Sequence, residues 1–520
     1  MSITGTWDHR PINRRQLLGR AALGAGALLA ARPLSAGALT RGPFSDPLFT
    51  LGVASGDPLP DGVVLWTRLA PVPLAPDGSG GLPARRVPVR WEVAHDDRFR
   101  RVARRGVTLT GPEVGHSVHV EVEGLDPARE YFYRFLVGPQ ESPTGRTRTA
   151  PRPGRGDRVR FAVASCQHYQ DGYFTAYGHM AREDLDLVVH LGDYIYEGGP
   201  APTKPRQHDG PEPETLAGYR NRHALYRTDA DLRAAHAAAP WVVTFDDHEV
   251  DNDWAGLSPQ DRIGVNATTE SWLARRAVAF QAYYEHLPLR RAQVPRGSDM
   301  LLYRRVGYSD LLTLNVLDTR QYRDDQDGAR RLDPARTLTG PQQERWVIDG
   351  LQRSRSRWNV LAQQVFFAQR DLTAGPAQGF SADSWDGYVP ARERITRAVQ
   401  DGRVENFVVL TGDVHKHYCA DVHAVPGDVA SPTLGSEFVT TSIATGGDGQ
   451  DISAGGRAVL AENPHILFTN EQRGYLRCEV DRQTWRGDFR VVPYVQTPGA
   501  PITTRASYVV QAGRPGAAAA

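Results

Sequence analysis

The sequence predicts an α/β sheet protein with a small antiparallel β-sandwich of immunoglobulin or fibronectin type in front of it. Three observations lead there. From about residue 49 to 149, runs with period-two alternation (62–69, 87–93 and 117–122) are separated by Gly and Pro, with no long helical period between them. That is the pattern of half-buried antiparallel strands. Beyond residue 158, apolar runs rich in β-branched residues alternate with amphipathic helical stretches, as in a sheet whose strands are joined by helices. Finally, several of these runs end in a thiol, a carboxylate or an imidazole, at the strand ends where open α/β sheets gather their chemistry.

Taken in order, residues 1–38 read as an export signal. Arg14-Arg15 with Leu17 and Leu18 precede an apolar run, 21–31, and the small-x-small site Ala36-Gly37-Ala38. Paired arginines followed by leucines identify a twin-arginine signal, and the run is too short for a permanent membrane span. An extracytoplasmic protein is therefore expected, with the twin-arginine translocase as a transient partner; an ordinary secretory signal is the alternative.

Residues 45–150 form the expected sandwich. Within it the turn Gly124-Leu125-Asp126-Pro127 leads into an aromatic strand containing Tyr131, the form of a tyrosine corner. The polar, Pro- and Gly-rich stretch 150–157 reads as a linker. Residues 158–500 carry the apolar runs 160–166, 185–193, 241–245, 311–317, 360–366, 406–412 and 437–443, with helical stretches at 173–182, 229–239 and 272–286. The long non-periodic segments 198–214 and 374–383 read as lids or tolerated insertions, and 501–520, ending in four alanines, as a frayed tail.

With 61 basic against 60 acidic side chains the net charge is +1. No global field draws nucleic acid or an anionic membrane, so neither is an expected partner and an anionic ligand must be captured locally. Of the basic residues only Lys204 and Lys416 are lysine. Three cysteines, Cys166, Cys419 and Cys478, do not make a disulfide framework; Cys419 and Cys478 are the pair that could bond.

Cys166, Asp193, Tyr196, Asp246, Asp247, Asn252, Asp413 and His415 fall at four strand ends and offer thiolate, phenolate, carboxylate, amide and imidazole donors. Hard cations take the oxygens, and Fe(III) also accepts thiolate and imidazole. Singly each residue has a plain explanation, as a small buried hydrophobe or a helix cap. Four such ends in one chain are a metal-site pattern. Asp193, one residue after Gly192, is placed to bridge two cations.

Gly192-Asp193-x-x-Tyr196, Asp247-His248-Glu249 and Gly412-Asp413-Val414-His415 resemble the motifs of calcineurin-like metallophosphoesterases. Ser165-Cys166-Gln167 stands where an Asp motif is usual, and Gln364 where a metal-binding His is expected. That combination is similar to the PhoD-type alkaline phosphatases, and the likeness extends to the stretch 49–58, the signal and the sandwich.

The resemblance implies a two-sheet α/β metallophosphatase domain binding Fe(III) and Ca(II). It implies hydrolysis of phosphomonoesters and phosphodiesters by attack of a metal-bound hydroxide; small molecules or cell-wall or lipid phosphodiesters are the expected substrates, and a monomer is expected. Oxygen donors in place of imidazoles favour Ca over Zn on independent grounds. His248 beside Asp247 is expected to steady the transition state or protonate the leaving oxygen. Arg275 or Arg276 is expected to clamp a phosphate, Arg276 being the candidate taken with Asp247 and His248 as catalytic. The alternative from another class is an extracellular binding or adhesion protein with a degenerate phosphatase domain.

Overall fold

Two sheets share a buried core in the computed structural model, which describes residues 46–520. The export signal expected at 1–38 lies outside the described residues. In the ten-stranded sheet the parallel strands Arg158–Ala164, Leu187–His190 and Pro240–Val243 lie side by side. In the seven-stranded sheet Leu312–Val316, Trp358–Ala362, Phe407–Thr411 and Thr433–Val439 run parallel.

Strand alternation explains the layers. Val159, Phe161 and Val163 point into the core between the sheets, against Leu312, Leu314, Val360 and Val408. Ala162 and Ala164, on the other face, pack with the helices Thr175–Met180, Ala230–Ala238 and Thr269–His286. The outer face of the second sheet is covered by Gly340–Gln352 and Val389–Asp401. Both faces of each central strand are buried, so these strands read as continuous apolar runs.

The amino-terminal strands correct the picture of a free-standing sandwich. Val53–Leu59, Gly62–Arg68 and Ser117–Glu123 form one end of the ten-stranded sheet, with Ser55 and Gly56 paired in parallel to Pro240 and Trp241. Val87–Ala94, Val102–Thr110 and Glu130–Val137 belong to a separate five-stranded sheet. The Tyr131 hydroxyl accepts the Asp126 N–H at 2.8 Å, which is the expected corner. Because three of the module's strands continue the ten-stranded sheet through the Ser55–Pro240 and Gly56–Trp241 pairs, residues 46–520 make one compact unit, and 150–157 does not separate two bodies.

The tail is a second correction. Thr503–Gln511 and Arg514–Ala519 form an antiparallel hairpin that ends the ten-stranded sheet, turning at Gly513 with φ 80°. Asp421 and Asn406 accept the N–H groups of Ala517 and Gly513 at 2.9 and 2.7 Å, so the hairpin is pinned rather than frayed. Cys419 and Cys478 both lie in the core between the sheets as free thiols and do not pair.

Candidate metal centre

Three strand ends of the ten-stranded sheet and one of the seven-stranded sheet deliver Cys166, Asp193, Asp246-Asp247-His248 and Asp413-Val414-His415. A parallel bridge between Ser165 and Ser442 ties the sheets together beside them. Cys166, Asp193, Asp413 and His415 have φ of 58°, 56°, 61° and 57°. Side-chain-bearing residues rarely adopt this left-handed region, and such strain persists only where the surroundings over-determine it. Each strand therefore ends in a sharp turn that presents one donor. Gly192, at φ 111°, makes the second turn possible: a Cβ there would meet the Asp246 Cβ at 2.5 Å.

The donor atoms of Cys166, Asp193 and His415 lie within 4.8 Å of one another, and so do those of Asp193, Asp247 and His248. Asp193 is common to both groups, as the bridging role requires. Tyr196 joins the first: its hydroxyl donates to Asp193 Oδ2 at 2.8 Å and lies 3.2 Å from His415 Nε2.

Asp193 Oδ1, Asp246 Oδ2 and Asp247 Oδ1 are buried and accept no hydrogen bond. Buried carboxylate oxygens left unpaired are costly, so three of them facing a thiol and two imidazoles fit cations. Burial pushes Asp193 and Asp413 well above the usual carboxylate range, with further upward pressure from Asp247 on Asp193 and from Asp383 on Asp413. Burial, then Asp193, pushes the Cys166 thiol up as well. Cations reverse all of these shifts, because positive charge favours the deprotonated donors.

Other buried groups hold the donors in place. Glu249 accepts the N–H groups of Asp193 and Asp246 on Oε2, at 3.2 and 2.9 Å, and that of Tyr194 on Oε1 at 2.7 Å. One carboxylate thus staples two ligand turns, and burial raises its pKa to about 7 against these N–H groups. Glu249→Gln keeps one acceptor oxygen but sets an amide N–H against a backbone N–H. The expected loss is about 2–4 kcal/mol of stability, read by chemical denaturation of the metal-loaded protein. A loss under about 0.5 kcal/mol would mean that the staple is dispensable.

Arg320, fully buried, donates Nε to Asp246 Oδ1 at 2.5 Å and grips both oxygens of Asp383 at 2.7 and 3.1 Å. Its Nη2 lies 3.6 Å from Asp247 Oδ1.

Not every expected residue reaches the cluster. Arg276 donates to Gly256 O and Ser298 O, at 2.8 and 2.9 Å, and Arg275 to Tyr219, Asp251, Asn266, Glu212 and Val250 O. Neither guanidinium is free to clamp a phosphate, because both are needed to cap buried acceptors. Asp246 spends one oxygen on Arg320. Asn252 lies on the neighbouring turn, its N–H on Glu197 Oε1 at 2.8 Å and its amide on Asp253. Gln364 is locked by Thr319, Thr244, Phe245 O and Leu317 O, and is a structural residue.

Glu197, Glu249, Arg320 and Asp383 support the donors without standing out as site residues in the sequence pattern. Two carried a signal: Glu197 follows Tyr196 directly, and Glu249 closes the Asp-His-Glu motif. Asp383 ends the non-periodic segment 374–383. Arg320 had none, since one arginine among so many is silent until its partners are known.

Paired α/β sheets whose strand ends converge on buried, unpaired carboxylate oxygens and a thiol define a metallophosphoesterase-like hydrolase. The chain belongs to the PhoD-like phosphatase family, whose pattern matches residues 161–489, while the pattern for that family's N-terminal domain matches residues 35–151. It is 51% identical over 487 residues to alkaline phosphatase D of Bacillus subtilis (strain 168), covering 91% of this chain and 82% of that protein. The solved structure of PhoD superposes with a TM-score of 0.88 at 50% identity, covering 92% of each chain. The purple acid phosphatase PPD1 of yellow lupin (Lupinus luteus) seeds is 14% identical, with a TM-score of 0.52 over 88% of this chain and 73% of that one. This last likeness speaks to the fold alone.

Proposed function

We propose that this protein is an exported alkaline phosphatase and phosphodiesterase that works with Fe(III) and Ca(II). The observation that carries the reading is the sharing of Asp193 between two donor groups of different character. The group with Cys166 and Tyr196 suits a trivalent iron, which accepts thiolate and phenolate, whereas Asp247 with the nearby Asp413 offers the oxygens a calcium ion takes. Bound there, the cations would neutralise phosphoryl oxygens and acidify a water.

The protein's own contribution is to push the pKa values of two histidines in opposite directions. Burial disfavours charge on His248, but Glu197, with Asp247 and Asp193, outweighs it and holds the imidazole well above its ordinary range. Glu197 Oε2 takes the His248 Nδ1–H at 2.7 Å, and its other oxygen is fixed by the Asn252 N–H. Nε2 is then the atom able to hand a proton to the leaving oxygen. His415 is driven the other way, down to about 3, by burial and then by Arg473. It stays neutral and keeps a lone pair for a metal. Environments that push like residues apart in this way divide the acid and ligand roles between them.

Phosphate esters are the substrates, mono- and diesters alike. Arg14-Arg15 and the apolar run behind them support passage through the twin-arginine translocase to an extracytoplasmic location, and the near-neutral net charge is compatible with a monomer.

Metal analysis of protein exported from its host, with assays on p-nitrophenyl phosphate and bis-p-nitrophenyl phosphate, tests the proposal. Iron and calcium with turnover of both esters are expected. Full activity with zinc alone would overturn the metal assignment, and bound metal without turnover of either ester would favour the binding-protein alternative.

A further inference from the structure

Lys204 and Lys416 are the only lysines in the sequence, and the fold pairs each with an acid that, like Cys166 and Tyr196, lies within electrostatic reach of Arg473. Lys204, from the non-periodic segment 198–214, sets its ammonium 2.6 Å from Asp171. Asp171 lies 3.1 Å from His168, whose ring packs 4.5 Å from that of Tyr196. Lys416 follows His415 directly and reaches Glu471 at 3.1 Å. Between the two pairs Arg473 is immobilised by Gly447 O, His415 O and Ser442 Oγ, at 2.8, 2.6 and 3.2 Å.

The lysines are not held in that way. Their ammonium groups are partly open, with side chains 42% and 35% exposed. Each has a single carboxylate partner, and that carboxylate keeps at least one other partner without it. Asp171 also takes His168 and the Gly446 N–H at 2.6 Å, and Glu471 takes the Ser453 hydroxyl at 2.6 Å. An ammonium on a four-carbon stem can therefore swing to another anion while Asp171 Oδ2 keeps His168 and the Gly446 N–H and Glu471 keeps Ser453, whereas Arg473 cannot. The cations of the centre meet the charge on the reacting phosphorus, so anything these lysines gain must come from negative charge further along the substrate.

We infer that Lys204 and Lys416 form a subsite for a second phosphate, carried on the non-reacting arm of the ester, and that the protein prefers such substrates. This rests on the phosphatase reading above. Two part-exposed ammonium–phosphate contacts are each worth a few-fold in affinity, so a preference of roughly tenfold is expected.

The p-nitrophenyl ester of thymidine 5′-phosphate, with and without a 3′-phosphate, tests it on the metal-loaded protein. Wild type should show a KM about tenfold lower for the 3′-phosphorylated ester. In K204A/K416A that advantage should vanish, with kcat on the plain ester and metal content unchanged. Wild type without the preference, a preference that survives in the double variant, or an equal loss on both esters would each overturn the subsite. Failure of wild type to cleave either ester would overturn the phosphatase reading itself.

Discussion

Cys166→Ala is expected to abolish binding of the thiol-side metal and to lower turnover of p-nitrophenyl phosphate by about a thousandfold or more. Loss of a group that merely orients a metal ligand costs 10–100-fold, so loss of the ligand itself must cost more. The same substitution should leave the stability of the metal-free protein almost untouched. Cys166 Sγ has one weak protein partner, Ser165 Oγ at 3.2 Å, and alanine removes only a small buried atom. A stability loss of about 1 kcal/mol is the scale for that. The combination is diagnostic: a structural cysteine would show stability and activity falling together. Metal content and turnover, with urea denaturation of both proteins after metal removal, check it, and an active, fully metallated variant would refute the assignment. Cys419→Ala and Cys478→Ala, in the core between the sheets, should keep both metal and activity.

Arg320→Met is expected to cost about 3–5 kcal/mol, the largest stability effect of any single change at this site. The side chain has no solvent exposure and balances Asp246, Asp247 and Asp383 at once. Methionine matches much of its volume, so the loss is one of charge rather than packing. Buried carboxylates then remain with their countercharge gone. Asp383 is held well below the ordinary carboxylate range: burial opposes this, but Arg320 and Arg323 prevail. Asp383→Asn in the Arg320→Met background should recover part of the loss, by roughly 0.5–3 kcal/mol of coupling. Denaturant unfolding at fixed metal concentration measures both. A loss under about 1 kcal/mol for Arg320→Met would mean that the bound cations alone balance these acids.

The two predictions bear on residues that differed greatly in how legible they were. Cys166 is visible in sequence because a β-branched run must end somewhere, and a thiol at its end recurs in parallel with carboxylates at the ends of other runs. Asp193, Asp247 and His415 are visible for the same reason, since a strand's period fixes where the chain leaves the sheet. Arg276 shows the limit of that logic. A helix arginine near a motif has the right chemistry, but its direction depends on which carbonyls lack partners nearby, and Gly256 O and Ser298 O claim it. The sandwich shows another limit: alternation identifies its strands, yet whether an edge is closed or continues into a neighbour depends on Ser55 and Gly56 meeting Pro240 and Trp241. The alanine-rich end reads as frayed because its pattern is weak, while the bonds that pin it come from Asp421 and Asn406, far back in the chain.

By itself the sequence determined the inventory of donors, their positions at strand ends, and the α/β architecture that collects strand ends on one edge. These follow from local period and local turn chemistry, which neighbouring residues suffice to set. Only the tertiary structure decided which donors share a cation, and that Asp193 serves two groups. It alone revealed that Glu249 and Arg320 bind the ligand turns together and that the acids paired with the two lysines flank Arg473. Those relations join residues on separate strands and two different sheets, and their energies arise from burial and charge pairing, which exist only once the sheets have closed on one another.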